Sequence, residues 1–185
     1  MYLIVGLGNP EEEYARTRHN MGFDVINKLS ENLNIKVNKN KFNSLYGTGT
    51  VGSEKIILLK PQTYMNLSGN AVRDFMNFYK ISSENIIIVY DDLDIQPGII
   101  KIRKKGGPGT HNGMKSVVHE IQTEEFPRIR VGIGNPQYKN DLLNFILTKI
   151  PDEDYKTLEE AIKNAANSIE EIIKNGIDIA MNKYN

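Results

Sequence analysis

Short apolar runs, each ending in turn-forming or polar residues, alternate with amphipathic segments along this chain, and no other feature constrains its fold as much. The runs 2–5 and 85–90 are rich in β-branched residues and shorter than a buried helix, so both are expected to be buried strands. Strands that alternate with helices are typical of an α/β domain. We therefore expect a single-domain α/β fold over residues 1–185, with a mixed β-sheet sandwiched between helices.

The same patterns predict the individual elements. Asn20 and Ser68 each precede an amphipathic stretch and are expected to cap a helix there. The glycine-rich loop 106–113 is expected to lead into another helix, and one long helix is expected from residue 152 to about 181. Strands are predicted over 2–5, 45–51, 55–60, 85–90, 99–104 and 128–134, and a short helix over 141–147.

Composition limits the classes of protein to which this chain can belong. It contains no cysteine, which excludes disulfides, a thiol nucleophile and a zinc–thiolate cluster. Met1 leads straight into a strand, and no apolar run approaches the roughly 20 residues of a membrane span, so a cytoplasmic protein is expected. Although 23 basic and 23 acidic residues cancel, the basic cluster within 101–105 suits contact with a few phosphates. A solvated face is the simpler interpretation of that cluster.

Neither glycine-rich stretch matches a nucleotide-binding motif. Gly6 and Gly8 follow a strand, but Glu11 stands where a dinucleotide fingerprint needs its third glycine. The segment 109–116 has a glycine spacing one residue short of a Walker A loop, and Met114 intervenes before the lysine. Both nucleotide-binding interpretations therefore fail.

An acidic segment supports a metal-dependent alternative. Asp91, Asp92 and Asp94 come at the end of the strand predicted over 85–90 and could supply oxygen ligands to Mg²⁺. A Mg²⁺-dependent nuclease or phosphohydrolase is therefore the second hypothesis, and loss of activity on chelation with EDTA would favour it. A catalytically idle RNA-binding module is the third.

A histidine with a carboxylate partner is expected to activate water. The chain has no cysteine and no G-x-S-x-G motif, so water is the expected nucleophile and it needs a base. His19 follows the loop after the first strand and Asp91 ends another strand, so both can face one crevice. His111 and His119 are expected to be structural. Amides at similar junctions, which could hold a peptide-like substrate, are those of Asn9, Asn66, Asn112 and Asn135.

Six motifs resemble those of the bacterial-type peptidyl-tRNA hydrolase family. They are G-L-G-N-P-x-x-x-Y at 6–14, T-R-H-N-x-G at 17–22, T-Y-M-N-L-S-G at 63–69, D-D-L-D at 91–94, T-H-N-G at 110–113 and R-V-G-I-G at 130–134. The resemblance runs in the family's order from residue 2 to about 180. Six motifs at consistent spacing are far more specific than any single glycine loop.

The resemblance implies hydrolysis of the ester between a peptide and the 3′ ribose of tRNA. Base-activated water and amide donors suffice for this chemistry, so no metal or cofactor is expected, and we expect a monomer. The resemblance also implies that His19 is the base, that Asp91 is its partner, and that Asn9 distinguishes a blocked α-nitrogen from a free one. Asn112 would position water or substrate. The residues implied to contact peptide or tRNA are Tyr14, Tyr64, Met65, Asn66, Asn112, Lys101, Arg103 and Arg130.

Overall fold

The protein is described here by a computed structural model that covers residues 1–136 and 141–185. Over these residues the strands are β1 (Tyr2–Gly6), β2 (Lys39–Lys41), β3 (Ser44–Val51), β4 (Glu54–Pro61), β5 (Ile86–Asp92), β6 (Ile100–Arg103) and β7 (Arg128–Gly132). They form one mixed sheet in the order β2-β3-β4-β1-β5-β7-β6. The helices are α1 (Met21–Leu33), α2 (Ser68–Tyr79), α3 (Asn112–Ile121), α4 (Leu142–Leu147), α5 (Asp152–Asn175) and α6 (Ile177–Tyr184).

Helices cover both faces of the sheet, which confirms the predicted α/β class. Alternate residues of β1 point to opposite faces, so Ile4 packs with α1 and α5 while Leu3 and Val5 pack with α2 and α3. Burial on both faces explains why β1 and β5 are continuous apolar runs instead of alternating ones. None of the described helices is both long and apolar enough to cross a membrane.

Parallel pairing brings four loops to one edge of the sheet. β1 lies parallel to both β4 and β5, and β5 lies parallel to β7. The carboxyl ends of these four strands therefore meet, and ligands of open α/β sheets bind at that edge.

Two glycines let the start of α1 lie directly against the end of β1. A Cβ on Gly6 would come within 2.1 Å of the Gly22 carbonyl oxygen, and a Cβ on Gly22 within 2.3 Å of the Leu7 amide nitrogen. No side chain fits at these distances, so the motif residues 17–22 are held beside the loop that follows β1.

Three local predictions were wrong for identifiable physical reasons. The long C-terminal helix is broken at Gly176, where φ is +95°, so α5 and α6 are separate. Asn20 precedes α1, but its side chain bonds the backbone of Asn9 instead of capping the helix. Ser68 lies inside α2, and its hydroxyl donates to the Met65 carbonyl. The short strand β2 was not predicted.

Candidate active site

A buried carboxylate lies between two imidazoles at the carboxyl end of β5. Nδ1 of His19 is 3.0 Å from both oxygens of Asp91, and Nε2 of His111 is 2.9 Å from Oδ1. Only 4% of Asp91 is exposed. The predicted contact between His19 and Asp91 is therefore present, and His111 is a second partner that the sequence analysis did not assign to it.

Hydrogen bonds determine the tautomer of His111. Its Nδ1 accepts the backbone N–H of Met114 at the start of α3, so the neutral ring carries its proton on Nε2 and donates it to Asp91. Burial alone would raise the pKa of Asp91, but the charges and hydrogen bonds of His19 and His111 hold that pKa well below its usual range. Asp91 is therefore an ionised acceptor for both rings.

The same contacts leave one nitrogen of His19 available for chemistry. Nδ1–H donates to Asp91, and Nε2 has no partner among the described residues. Because no buried side-chain nitrogen or oxygen of those residues lacks a partner, Nε2 must reach solvent. Burial alone would lower the pKa of His19, but the attraction and hydrogen bond of Asp91 raise it above the usual 6.5.

Asn9 is held on three sides. Its backbone N–H donates to the side-chain oxygen of Asn20, whose amide donates back to the Asn9 carbonyl. Its Oδ1 accepts the Met65 backbone N–H at 2.9 Å. Because Oδ1 is engaged in this way, the amide NH₂ of Asn9 is the group left to bind a ligand.

Close packing connects these residues into a ring of contacts. Met65 approaches Gly113 so closely that a Cβ there would be 2.5 Å from the methionine Sδ and 3.1 Å from Cε1 of His111. His111 contacts His19 with ring centroids 4.9 Å apart, and Asn20 adjoins His19 in the chain. Residues from three connections, those after β1, β4 and β6, therefore come together at the carboxyl end of the sheet.

Two depressions open beside this ring and share one residue. A cavity of about 400 Å³ lies on the β5–β7 side, and a shallower groove lies between α2 and α3. Asn112 lines both, and Asn66 lines the groove. The cavity is lined by His19, Asp91, Arg103, Asn112, Arg130 and Leu143, among others.

The predicted basic contacts differ in how freely they can meet a phosphate. Arg103 lines the cavity, and its guanidinium donates only to the neighbouring Ile102 carbonyl among the described residues. Arg130 also lines it but is bound to Asp92 at 2.7 Å. Nζ of Lys101 lies 2.6 Å from the carbonyl oxygen of Asn185, away from the cavity.

The remaining predicted residues lie at the periphery. Tyr64 is 47% exposed and its hydroxyl donates to Glu11. Tyr14 is half-buried, and its carbonyl accepts the hydroxyl and amide of Thr17. Asn135 was expected to converge on the site, but its side-chain amide donates to the Leu93 carbonyl at 2.8 Å, in the loop that follows β5.

The three aspartates of the metal hypothesis do not converge. Asp91 faces the histidines, whereas Asp92 accepts from Arg130 and from the Asp94 backbone N–H. Among the described residues, His19, Asp91 and His111 form the one group whose donor atoms lie close enough together, within 4.8 Å, to hold a metal ion.

Comparison with known proteins decides the family. A family model described as peptidyl-tRNA hydrolase matches residues 3–185. This chain belongs to the peptidyl-tRNA hydrolase family. The peptidyl-tRNA hydrolases of Alkaliphilus metalliredigens and of a Thermoanaerobacter species are 51% and 53% identical to it over 185 residues, with both chains fully covered. The crystal structure of the Acinetobacter baumannii peptidyl-tRNA hydrolase has a TM-score of 0.94 and 39% identity, and covers 100% of this chain and 94% of that one.

Two residues of this peptidyl-tRNA hydrolase site escaped the sequence analysis. His111 was expected to be only structural, and it does occupy the N-cap of α3, but the same ring also reaches Asp91. Asn20 was assigned to a cap, although it holds Asn9. Both lie inside motifs that resemble those of the family, and this position was the sequence feature that could have marked them as site residues.

Proposed function

We propose that this protein hydrolyses the ester that joins a peptide, or an N-blocked aminoacyl group, to the 3′ ribose of tRNA, and that it acts as a monomer. The observation that carries the proposal is the Asp91 carboxylate between two imidazoles, with Nε2 of His19 left to solvent. Membership of the peptidyl-tRNA hydrolase family supports the substrate class.

In this proposal His19 acts as a general base. Nε2 takes a proton from water as the water attacks the acyl carbon, and Asp91 stabilises the resulting imidazolium through Nδ1–H. The NH₂ of Asn9 is placed to donate to the peptide's acyl oxygens, and Asn112 to hold water or substrate beside both depressions. The ester supplies an alkoxide leaving group, so base catalysis and amide donors suffice.

The arginines on one side of the site determine how the substrate is oriented in this proposal. Arg103 and Arg130 line the cavity on the β5–β7 side, which therefore suits the tRNA phosphates. Asn9 and Met65 follow β1 and β4 on the other side of β5. With the ester at His19, the peptide extends over the loops after β1 and β4.

Release of the acyl group from purified N-acetyl-aminoacyl-tRNA, measured beside the unacetylated form, tests the proposal. The acetylated substrate is expected to be hydrolysed much faster, because Asn9 recognises a blocked nitrogen. Cleavage of the RNA chain instead of the ester would support the Mg²⁺-dependent nuclease. Asp94→Asn separates the two further, since the nuclease needs that carboxylate and the esterase does not.

The pH dependence of kcat/KM is expected to follow His19. The base form is required, so kcat/KM should rise with pH and level off above a midpoint that is higher than 6.5, since the pKa of His19 is raised. The measurement is initial rates on N-acetyl-aminoacyl-tRNA, corrected for spontaneous ester hydrolysis. A rate that falls over this range would contradict the assignment of His19 as base.

Arg103→Ala is expected to raise KM with little change in kcat. It should also reduce the magnitude of the slope of log(kcat/KM) against log[salt] by about one, the value expected for the loss of one phosphate contact. Lys101→Ala is the matched control, because the Lys101 ammonium is held by the Asn185 carbonyl. Its salt slope should change less. A defect of Arg103→Ala confined to kcat would rule out a phosphate contact.

A further inference from the structure

A second bond joins the loops after β1 and β4, outside the contact between Asn9 and Met65. The Tyr64 hydroxyl donates to Oε1 of Glu11. With the bond from Met65 N–H to Asn9, it closes a small ring that contains Pro10. Both side chains are exposed, so the bond lies at the outer lip of the site.

Both residues of this bond adopt backbone conformations that favour glycine. Glu11 has φ +80° and ψ 146°, and Tyr64 has φ +57° and ψ 164°. A side chain in this region strains the backbone, and such strain persists where the surrounding structure holds it, often at functional sites. Glu11 therefore occupies a position where a side chain is unfavourable for the fold.

The position of Glu11 places its charge on the peptide side of the site. Glu11 lies two positions after Asn9 in sequence, a span of at most about 7 Å between Cα atoms. No described cation pairs with it, since its carboxylate accepts only the Tyr64 hydroxyl. In the orientation proposed for the peptide, the residue next to the esterified one, one Cα spacing of about 3.8 Å further along, is expected to come within reach of that carboxylate.

We propose that Glu11 determines specificity on the peptidyl side, favouring peptidyl-tRNAs in which the residue next to the esterified one is positively charged. This inference rests on the proposed function and on the orientation derived for the peptide. Tyr64 acts as a positioning residue, because its hydroxyl holds the Glu11 carboxylate towards the loops that carry Asn9 and Met65.

The test compares three acylated tRNAs that share the tRNA and the esterified amino acid. One carries only an N-acetyl group, one N-acetyl-lysine and one N-acetyl-glutamine at the next position. Acetylation removes the α-ammonium, so the lysine side chain is the only added charge. The wild-type protein is expected to prefer lysine to glutamine about fivefold in kcat/KM at low salt, the effect of one solvent-exposed charge pair, and to lose the preference near 1 M salt.

Variants assign this preference to one carboxylate. Glu11→Gln is expected to bring the lysine-to-glutamine ratio close to one, whereas Glu12→Gln, the matched exposed neighbour, should keep it. Tyr64→Phe should reduce the ratio. Each ratio is internal to one variant, so a partly unfolded preparation does not distort it, and the shared tRNA cancels the phosphate contribution.

Two failures have separate meanings. A wild-type protein that does not hydrolyse the acetyl-only substrate overturns the proposed function. A protein that hydrolyses it but treats lysine and glutamine alike, or a Glu11→Gln variant that keeps the preference, overturns this inference alone.

Discussion

Replacing His19 by alanine is expected to lower kcat on N-acetyl-aminoacyl-tRNA by about 10²- to 10⁴-fold, with tRNA affinity nearly intact. Nε2 of His19 is the nitrogen of the His19–Asp91–His111 group that is free to take a proton from water. In the proposed arrangement the tRNA phosphates contact Arg103 and Arg130, so tRNA binding is not expected to depend on this ring. The measurements are single-turnover rates and the Kd of uncharged tRNA.

His119→Ala is the matched control for this prediction. The side chain of His119 is 78% exposed on α3, and its ring bonds only the Glu120 carboxylate among the described residues. Its loss should leave kcat unchanged. The space left by His19→Ala also permits chemical rescue, so added imidazole should restore part of the rate. Equal losses of rate and tRNA affinity, without rescue, would identify His19 as structural.

The sequence was sufficient for the architecture because its signals are local and agree with one another. The runs in β1 and β5 are apolar at consecutive positions, whereas a strand with one exposed face alternates apolar and polar residues. This pattern indicates a sheet that is covered on both faces. Convergence of His19 and Asp91 followed from one topological rule, that parallel strands end at the same edge. Both predictions needed only residue type and spacing.

The errors arose where a side chain has two plausible partners. Asn20 stands at a helix start and could have capped it, but it bonds the backbone of Asn9, which Gly6 and Gly22 bring beside the start of α1. A long-range partner was also missed at Lys101, which was grouped with Arg103 by charge and whose ammonium meets the Asn185 carbonyl, 84 residues away in sequence. Contacts of this range depend on packing that no local pattern encodes.

His111 shows the same limit inside the site. Its position near the start of a helix follows from the glycine-rich loop 106–113, and its ring does accept the Met114 N–H. The other ring nitrogen reaches Asp91 only because the glycine loop returns to the end of β5. When one side chain contacts both a helix start and a distant carboxylate, the sequence pattern reveals only the contact that is local in the chain.

Asp91→Asn is expected to lower kcat by about 10²- to 10⁴-fold, as loss of the carboxylate does in catalytic triads. The carboxylate accepts two N–H donors, Nδ1–H of His19 and Nε2–H of His111. An amide oxygen at the Oδ1 position can still accept from His111, but the NH₂ then takes the Oδ2 position, 3.0 Å from Nδ1 of His19, where two donors would face each other. His111 cannot change tautomer without losing the Met114 N–H.

The change of tautomer therefore falls on His19. Its Nδ1 becomes the acceptor and its proton moves to Nε2, so the nitrogen that faces water can no longer take a proton. The surviving activity should also titrate at lower pH, because burial, which lowers the pKa of His19, remains while the attraction of Asp91 is lost. A pH–rate profile of Asp91→Asn beside Asp94→Asn measures both effects. An unchanged midpoint in the slow variant would mean that Asp91 does not set the protonation of His19.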